Sequence, residues 1–305
     1  LNGNMKVYNN LNINKKHQRS VIAIGNFDGI HLGHQKVINQ AKQKAKKNNL
    51  PFGIITFEPV PVMFFNPKIK NHRINSLEQK KNQLKKLKID FLIIIKFNKF
   101  FSSLSAEQFI EKIINKKARC KFLYVSKNFK FGFKRQGNIQ TLKKLENLFK
   151  YQTIITVPLK KDKKIISSTL IRKKISAGKI VEVKKLLNRE WRIKGKVIKG
   201  QKRGRKIGFP TCNIKMNDYI IPRLGVYAVS VSGISFNKKG ISNIGYRPTF
   251  NGQSLLLETN IFGINKNLYN KDICISFKKF IRPEKKFKNL ELLKKQIKID
   301  ITLAK

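Results

Sequence analysis

The chain has 305 residues, 41% of them apolar, and 67 basic against 16 acidic side chains give it a formal charge of +51. That length accommodates two ordinary domains with cores of their own, and the longest apolar run, Phe91-Leu92-Ile93-Ile94-Ile95, is strand-sized and too short to span a membrane. Only 12 of the basic residues are arginine and the lysines run the whole length, so the charge reads as solvated surface rather than a dedicated nucleic-acid interface, with weak, salt-sensitive polyanion binding expected.

Along the first half, short apolar strands alternate with helical stretches. Strands are predicted at 20–24, 52–57, 91–95, 122–125 and 153–157, and helices at 35–47, 76–87, 105–114 and 138–150. This alternation predicts an α/β domain with a Rossmann-like parallel sheet covered on both faces and ligands at the carboxyl ends of its strands. The character changes near Asn188-Arg189-Glu190-Trp191. Beyond it, β-rich runs at 192–198, 226–231, 240–244, 255–261 and 273–280 are separated by turns such as 200–208 and 265–267. An antiparallel β-barrel follows from that pattern, with a helix over 289–301 on its outside. The expected domains are therefore 18–187 and 188–305.

Cys120, Cys212 and Cys274 are too far apart for a metal motif or a disulfide framework, so a reducing cytoplasm fits best. The N-terminus lacks a charged-then-apolar secretory pattern. Leu1 opens the chain and Met5 follows shortly, so the first residues read as an artefact of the assigned start or as a non-standard one.

Three segments carry chemistry. The first is Gly25-Asn26-Phe27-Asp28-Gly29-Ile30-His31-Leu32-Gly33-His34, between an apolar strand and a helical stretch. A helix start presents free N–H groups and positive partial charge, glycines admit close approach, and imidazoles donate to phosphoryl oxygens. Gly25, Phe27, Gly33, His31 and His34 are thus candidates for binding phosphate. Asp28 either orients the turn, holds a metal-bound water or is simply part of the turn. The second segment, Ile166-Ser167-Ser168-Thr169-Leu170-Ile171-Arg172, sets hydroxyls at a helix start with an arginine one turn later. In the third, Gly204-Arg205-Lys206-Ile207-Gly208-Phe209-Pro210-Thr211-Cys212-Asn213, Gly204 and Gly208 permit a tight wrap around phosphate. The Thr211 hydroxyl and the Asn213 carbonyl are oxygen ligands suited to Mg²⁺. Acids are scarce, and Asp28, Glu58, Glu258 and Glu284 each fall in motif-like segments.

Together with Thr56-Phe57-Glu58-Pro59, Asn128-Phe129-Lys130-Phe131-Gly132, Asn243 to Thr249, Leu257-Glu258 and Arg282-Pro283-Glu284, these segments occur in the order seen in the bacterial bifunctional riboflavin kinase/FMN adenylyltransferases (FAD synthetases), which the chain resembles from about residue 21 to 299. His-x-Gly-His is also the signature of the nucleotidyltransferase superfamily. The resemblance implies two ATP-dependent steps, riboflavin to FMN in the barrel and FMN to FAD in the α/β domain, with ATP and Mg²⁺ required. It implies that His31 and His34 serve the transferring phosphate and that Ser168, Thr169 and Arg172 hold the β and γ phosphates. It sets Asn128 near the flavin, Thr211 and Asn213 on Mg²⁺-ATP, and Glu258 as general base for the riboflavin 5′-hydroxyl. Riboflavin, FMN and ATP are then the expected partners, with neither a specific nucleic acid nor a membrane. The chain departs from the family pattern at Val60, where histidine is frequent, at Ser126 and Lys130, where glycine and arginine are usual, and at Asn260, Gly263 and Asn270. Two other readings stand beside this one: a kinase with an impaired synthetase domain, and a basic nucleic-acid-binding protein on a nucleotide-binding scaffold.

Overall fold

The computed structural model describes residues 5–200, 203–216, 218–249, 252–264 and 266–305. They form two compact units, one of the described residues up to Ile69 with Leu77–Ser167, the other of Lys70–Ser76 with Ser168–Lys305.

The first unit is built on six parallel strands, β1 (Lys6–Tyr8), β2 (Val21–Ile24), β3 (Phe52–Glu58), β4 (Phe91–Lys96), β5 (Phe122–Ser126) and β6 (Gln152–Thr156), in the spatial order β1-β4-β3-β2-β5-β6. Helices α1 (Leu32–Lys47), α2 (Pro61–Phe65), α3 (Leu77–Lys86), α4 (Lys99–Ser102), α5 (Ala106–Phe109), α6 (Ile139–Lys144) and α7 (Glu146–Phe149) connect them, and β7 (Lys160–Lys161) pairs with β8 (Lys164–Ile165). Side chains alternate between the two faces of a strand. Ile22, Ile24, Ile55 and Ile93 accordingly enter one core with the helical stretch after α5, while Val21, Ala23, Ile54 and Leu92 enter another with Ile38 and Ala41 of α1 and Leu84 of α3. Between β3 and β4 the Phe91 ring lies so close over Gly53 that a Cβ there would be 2.2 Å from it. The predicted strands appear within a residue or two at each end. The helix expected at 105–114 continues beyond α5 as a π-helix, Ile110–Lys117, and that expected at 138–150 breaks at Leu145 into α6 and α7. The short edge strand β1 was not foreseen.

β1 is held by a buried pair. The Tyr8 hydroxyl is 2.7 Å from His17 Nδ1, and the His17 ring stacks on Phe91 at 4.7 Å between centroids. Burial, reinforced by Lys16 and Lys6 against the opposing pull of Asp90, pushes the His17 pKa below its ordinary value. A group that charges less readily when folded contributes stability above about pH 6.5, and that contribution is lost as pH falls through the lower folded value. Thermal unfolding of the wild type should therefore weaken between pH 7 and pH 5 by more than that of His17→Phe. Equal acid sensitivity of the two proteins would show that His17 titrates alike folded and unfolded.

The second unit opens with α8 (Ser168–Ser176) and α9 (Ile180–Leu187), followed by β9 (Arg192–Lys196), α10 (Arg203–Lys206), β10 (Cys212–Lys215), β11 (Gly225–Ser232), β12 (Asn237–Thr249), β13 (Gly252–Ile261), β14 (Asp272–Arg282) and α11 (Leu290–Ala304). The two compact units meet in sequence between Ser167 and Ser168. The strands are antiparallel in the order β10-β13-β12-β11-β14-β9, and a bridge between Ile198 and Asn213 nearly closes them into a barrel. Its core stacks Trp191 on Phe277 at 4.7 Å, with Tyr227 edge-on to Phe277. The 70–76 segment packs here: Trp191 Nε1 donates to the Ile74 carbonyl at 2.8 Å, and Asn71 Nδ2 donates to the carbonyls of Met216 and Tyr219. α11 is pinned by Arg282, whose Nε and Nη2 donate to the buried Asp300 carboxylate. Of the turns expected at 200–208 and 265–267, residues 201, 202 and 265 lie outside the described residues.

Candidate functional site

In the first unit, the chain leaves β2 for β3 on one side and later returns to β5 on the other. Adjacent strands with oppositely directed connections leave a crevice at their carboxyl ends, the usual ligand position of such sheets. The turn from Gly25 to His34 follows β2, and Asn128 lies exposed in the turn after β5. The first turn is sharply wound: Phe27, Gly29 and Ile30 have φ of 46°, 84° and 39°. Left-handed backbone is costly for a β-branched residue such as Ile30 and persists only where the surroundings impose it. Here the Phe27 and Ile30 side chains are buried in the core beneath, and Gln35 Nε2 donates to the Ile30 carbonyl at 2.9 Å.

His31 caps α1. Its Nδ1 accepts the His34 backbone N–H at 3.3 Å, and the two imidazoles stack with centroids 3.7 Å apart. An accepting Nδ1 leaves the neutral ring's proton on Nε2, so His31 is fixed as an Nε2–H donor. His34 also lies 5.1 Å from the Phe27 ring. A Cβ on Gly33 would come within 3.1 Å of His31 and 3.2 Å of the Ile166 carbonyl, so glycine keeps this approach open. Asp28 is buried at the base of the turn. Gly25, Phe27, Asp28, His31, Gly33 and His34 are therefore one constellation, with the backbone of Ile166 against it. Ser168 begins α8, as the hydroxyl-rich motif predicted, with Thr169 beside it, and Arg172 Nε donates to the His72 carbonyl at 2.8 Å within the second unit.

Two features of the first unit escaped the sequence reading. Phe57, Phe64, Phe65, Phe97 and Phe101 form a connected aromatic cluster at the carboxyl ends of β3 and β4, with centroid separations of 5.2–6.0 Å and Phe65 largely exposed. Their helical and strand spacing looks like core packing, which hides the exposure of Phe65. The other is Lys80, a buried lysine on α3 that donates to the Asn26 carbonyl.

In the barrel, strand register sets Asn213 of β10 and Asn243 of β12 on either side of Glu258 of β13. Arg247 donates through Nε and Nη2 to Glu258 Oε2 at 3.1 and 2.9 Å, and through Nη1 to Glu284 Oε1 at 3.0 Å. Burial alone would lower the Arg247 pKa, but the carboxylates of Glu258 and Glu284 outweigh it and hold the value above the ordinary one. Both bonds from Arg247 to Glu258 fall on Oε2, so Oε1 lies outside the clamp. Asn213 Oδ1 is buried with no hydrogen-bond partner among the described residues. A buried carbonyl oxygen left over, one residue from the exposed Thr211 hydroxyl's neighbour Cys212, suits a hard cation that retains waters and binds few protein ligands. No group of three or more His, Cys, Asp or Glu among the described residues could hold a metal.

The glycine loop closes on itself: Phe209 N–H donates to the Gly204 carbonyl at 2.8 Å, and a Cβ on Gly204 would stand 2.4 Å from the Phe209 carbonyl oxygen. Gly208 has φ of 89°. Beside the loop is an open cavity of about 360 Å³, with Gly208, Phe209 and Pro210 on one side and Ile261, Phe262 and Ile264 among its other lining residues. Asn260 Nδ2 donates to the Pro210 carbonyl at 2.7 Å and so ties the loop to β13.

Two family models match the chain, FAD synthetase over residues 13–170 and riboflavin kinase over residues 187–305. A bifunctional riboflavin kinase/FMN adenylyltransferase of Buchnera aphidicola subsp. Schizaphis graminum is 43% identical over 299 residues, covering 96% of each chain. The protein of the same name from Haemophilus influenzae is 40% identical with 96% of each covered, and that from Bacillus subtilis 39% identical with 94% of this chain and 92% of its own covered. A crystal structure described as a macrolide-efflux protein from Streptococcus pneumoniae superposes with a TM-score of 0.86 at 30% identity, covering 98% of both chains. Among the described residues no helix is long and apolar enough to cross a membrane.

Proposed function

This chain belongs to the family of bifunctional riboflavin kinase/FMN adenylyltransferases and carries both activities, and from that premise we propose how its residues divide the two reactions. The observation that carries the division is that the imidazole pair and the carboxylate clamp each form a complete constellation within a different unit.

In the α/β unit, the FMN phosphate attacks the α-phosphorus of ATP in line, pyrophosphate leaves, and FAD forms. Such transfers depend on positioning and on neutralising developing charge. His31 donates from Nε2 to the transferring phosphate, His34 supports it by stacking, and the α1 N-terminus adds its free N–H groups. Gly25, Phe27 and Gly33 shape the approach, and Asp28 holds the turn. Asn128 and the phenylalanine cluster offer a planar apolar seat and a polar edge for the isoalloxazine ring.

In the barrel, Glu258 Oε1 accepts the proton of the riboflavin 5′-hydroxyl as that oxygen attacks the γ-phosphorus of ATP, the bond from the γ-phosphorus to the β–γ bridging oxygen breaks, and ADP leaves as FMN forms. Arg247 holds the carboxylate in place through its two bonds to Oε2. Gly204 and Gly208 wrap the phosphates, and the adjoining cavity seats the rest of the nucleotide. Thr211 and Asn213 would hold Mg²⁺, which when bound neutralises phosphate charge. The three cysteines are free, and burial pushes the Cys212 thiol up to about 11.

Purified protein given riboflavin, ATP and Mg²⁺ should form FMN and then FAD, resolved chromatographically, and a chelator should stop both steps. FMN alone would remove the second activity. No flavin conversion, with RNA binding that survives physiological salt, would overturn the reading.

A further inference from the structure

Lysine is almost never fully buried unless paired, because its ammonium loses hydration. Lys80 is 2% exposed and is the one lysine in the buried class among the described residues. It stands on α3 at the inward position between Leu77 and Leu84, both packed on the core, where helical periodicity calls for an apolar side chain. Its Nζ donates to the Asn26 carbonyl at 2.8 Å and lies 3.3 Å from Thr56 Oγ1, while that hydroxyl donates to the same carbonyl at 3.1 Å. A carbonyl oxygen has two lone pairs, so these two donors saturate it.

The consequence reaches the phosphate turn. The Asn26–Phe27 peptide is planar, so its N–H points opposite its carbonyl. With the carbonyl held inward by Lys80 and Thr56, the Phe27 N–H is turned away from the core. The same anchor fixes the entry to the left-handed stretch from Phe27 to Ile30, which sets where His31 begins α1. A neutral donor could make a hydrogen bond here. An ammonium makes a stronger, charge-assisted one.

We propose that Lys80 is a positioning residue for adenylyl transfer, locking the Asn26–Phe27 peptide so that the turn and His31 face the transferring phosphate. This rests on the assignment of the His31 turn to that reaction.

The test compares Lys80→Met, which keeps the stem and removes the ammonium, with Leu84→Ala, which loosens the same helix without touching Asn26. FMN adenylylation and riboflavin phosphorylation are measured in the same preparations, scaled to the folded fraction. Lys80→Met should lose about tenfold to a hundredfold in adenylylation kcat, with a smaller change in KM for ATP and no change in phosphorylation. Leu84→Ala should keep its adenylylation kcat. Unchanged adenylylation in Lys80→Met, or an equal loss in Leu84→Ala, overturns the proposal. Should Lys80→Met not fold, Thr56→Val, which removes the second donor, must give a smaller loss confined to adenylylation, and no loss overturns the idea. His31→Ala is assayed alongside. If it retains adenylylation, the assignment of the turn itself fails, whereas its loss beside an active Lys80→Met defeats only the role of Lys80.

Discussion

Replacing Glu258 by glutamine is expected to slow riboflavin phosphorylation by about 10²–10⁴-fold, the usual contribution of a positioned general base, with FMN adenylylation by the same molecules unchanged. Glutamine keeps the volume and still offers an oxygen to Arg247, so the strand row through Asn213 and Asn243 should persist. What disappears is the negative charge and the capacity of Oε1 to take a proton. Arg247 retains Glu284, so the guanidinium is not stranded. Arg247→Lys is then expected to be intermediate. Lysine keeps the charge but cannot bond one carboxylate through two nitrogens while reaching a second. A Glu258→Gln protein that phosphorylates riboflavin at more than about a tenth of the wild-type rate would remove Glu258 from the role of base, since even the weakest such bases contribute more.

The period of the apolar residues was enough to read the layered α/β half and the barrel, because buried parallel strands appear as unbroken runs and barrel strands as short, turn-bounded ones. It failed where local pattern and tertiary environment disagree. Lys6–Tyr8 is too short to carry a period, and its place beside β4 comes from tertiary pairing and the contact of Tyr8 with His17. Lys80 occupies an inward helical position that its charge disguises. The residues from Lys70 to Ser76 look like a loop of the first half, yet their backbone groups bond Asp218, Ile220 and Trp191, and the Asn71 side chain bonds the Tyr219 carbonyl.

The candidate sites were legible in a different way. The glycine and histidine motifs named themselves by residue type, and the shortage of acids drew the eye to Glu258. Arg247 did not stand out, since one arginine in a strand predicts nothing until the β12–β13 hairpin register brings it to Glu258 on the neighbouring strand. Val60, a departure from the family pattern, is buried at the start of α2 as an apolar residue, and the His31 and His34 rings stack without a histidine there.

His31→Ala is expected to abolish most FMN adenylylation, by about 10²–10³-fold if Nε2–H acts as one charge-stabilising donor, and to leave riboflavin phosphorylation intact. The alanine also removes the α1 cap, a loss of about 1 kcal/mol, small beside the roughly 5–15 kcal/mol that holds a domain folded. Stability and chemistry can be separated at this position. Asparagine is itself a good cap, and His31→Asn can still accept the His34 N–H while lacking the imidazole donor. Thermal unfolding of His31→Asn should therefore recover toward the wild type, whereas its adenylylation stays as low as that of His31→Ala. Recovery of both would mean that His31 works only by starting the helix. Recovery of neither would mean that the stacked His31–His34 pair, not the cap bond, holds the turn, and His34→Ala would then have to unfold the turn to the same degree.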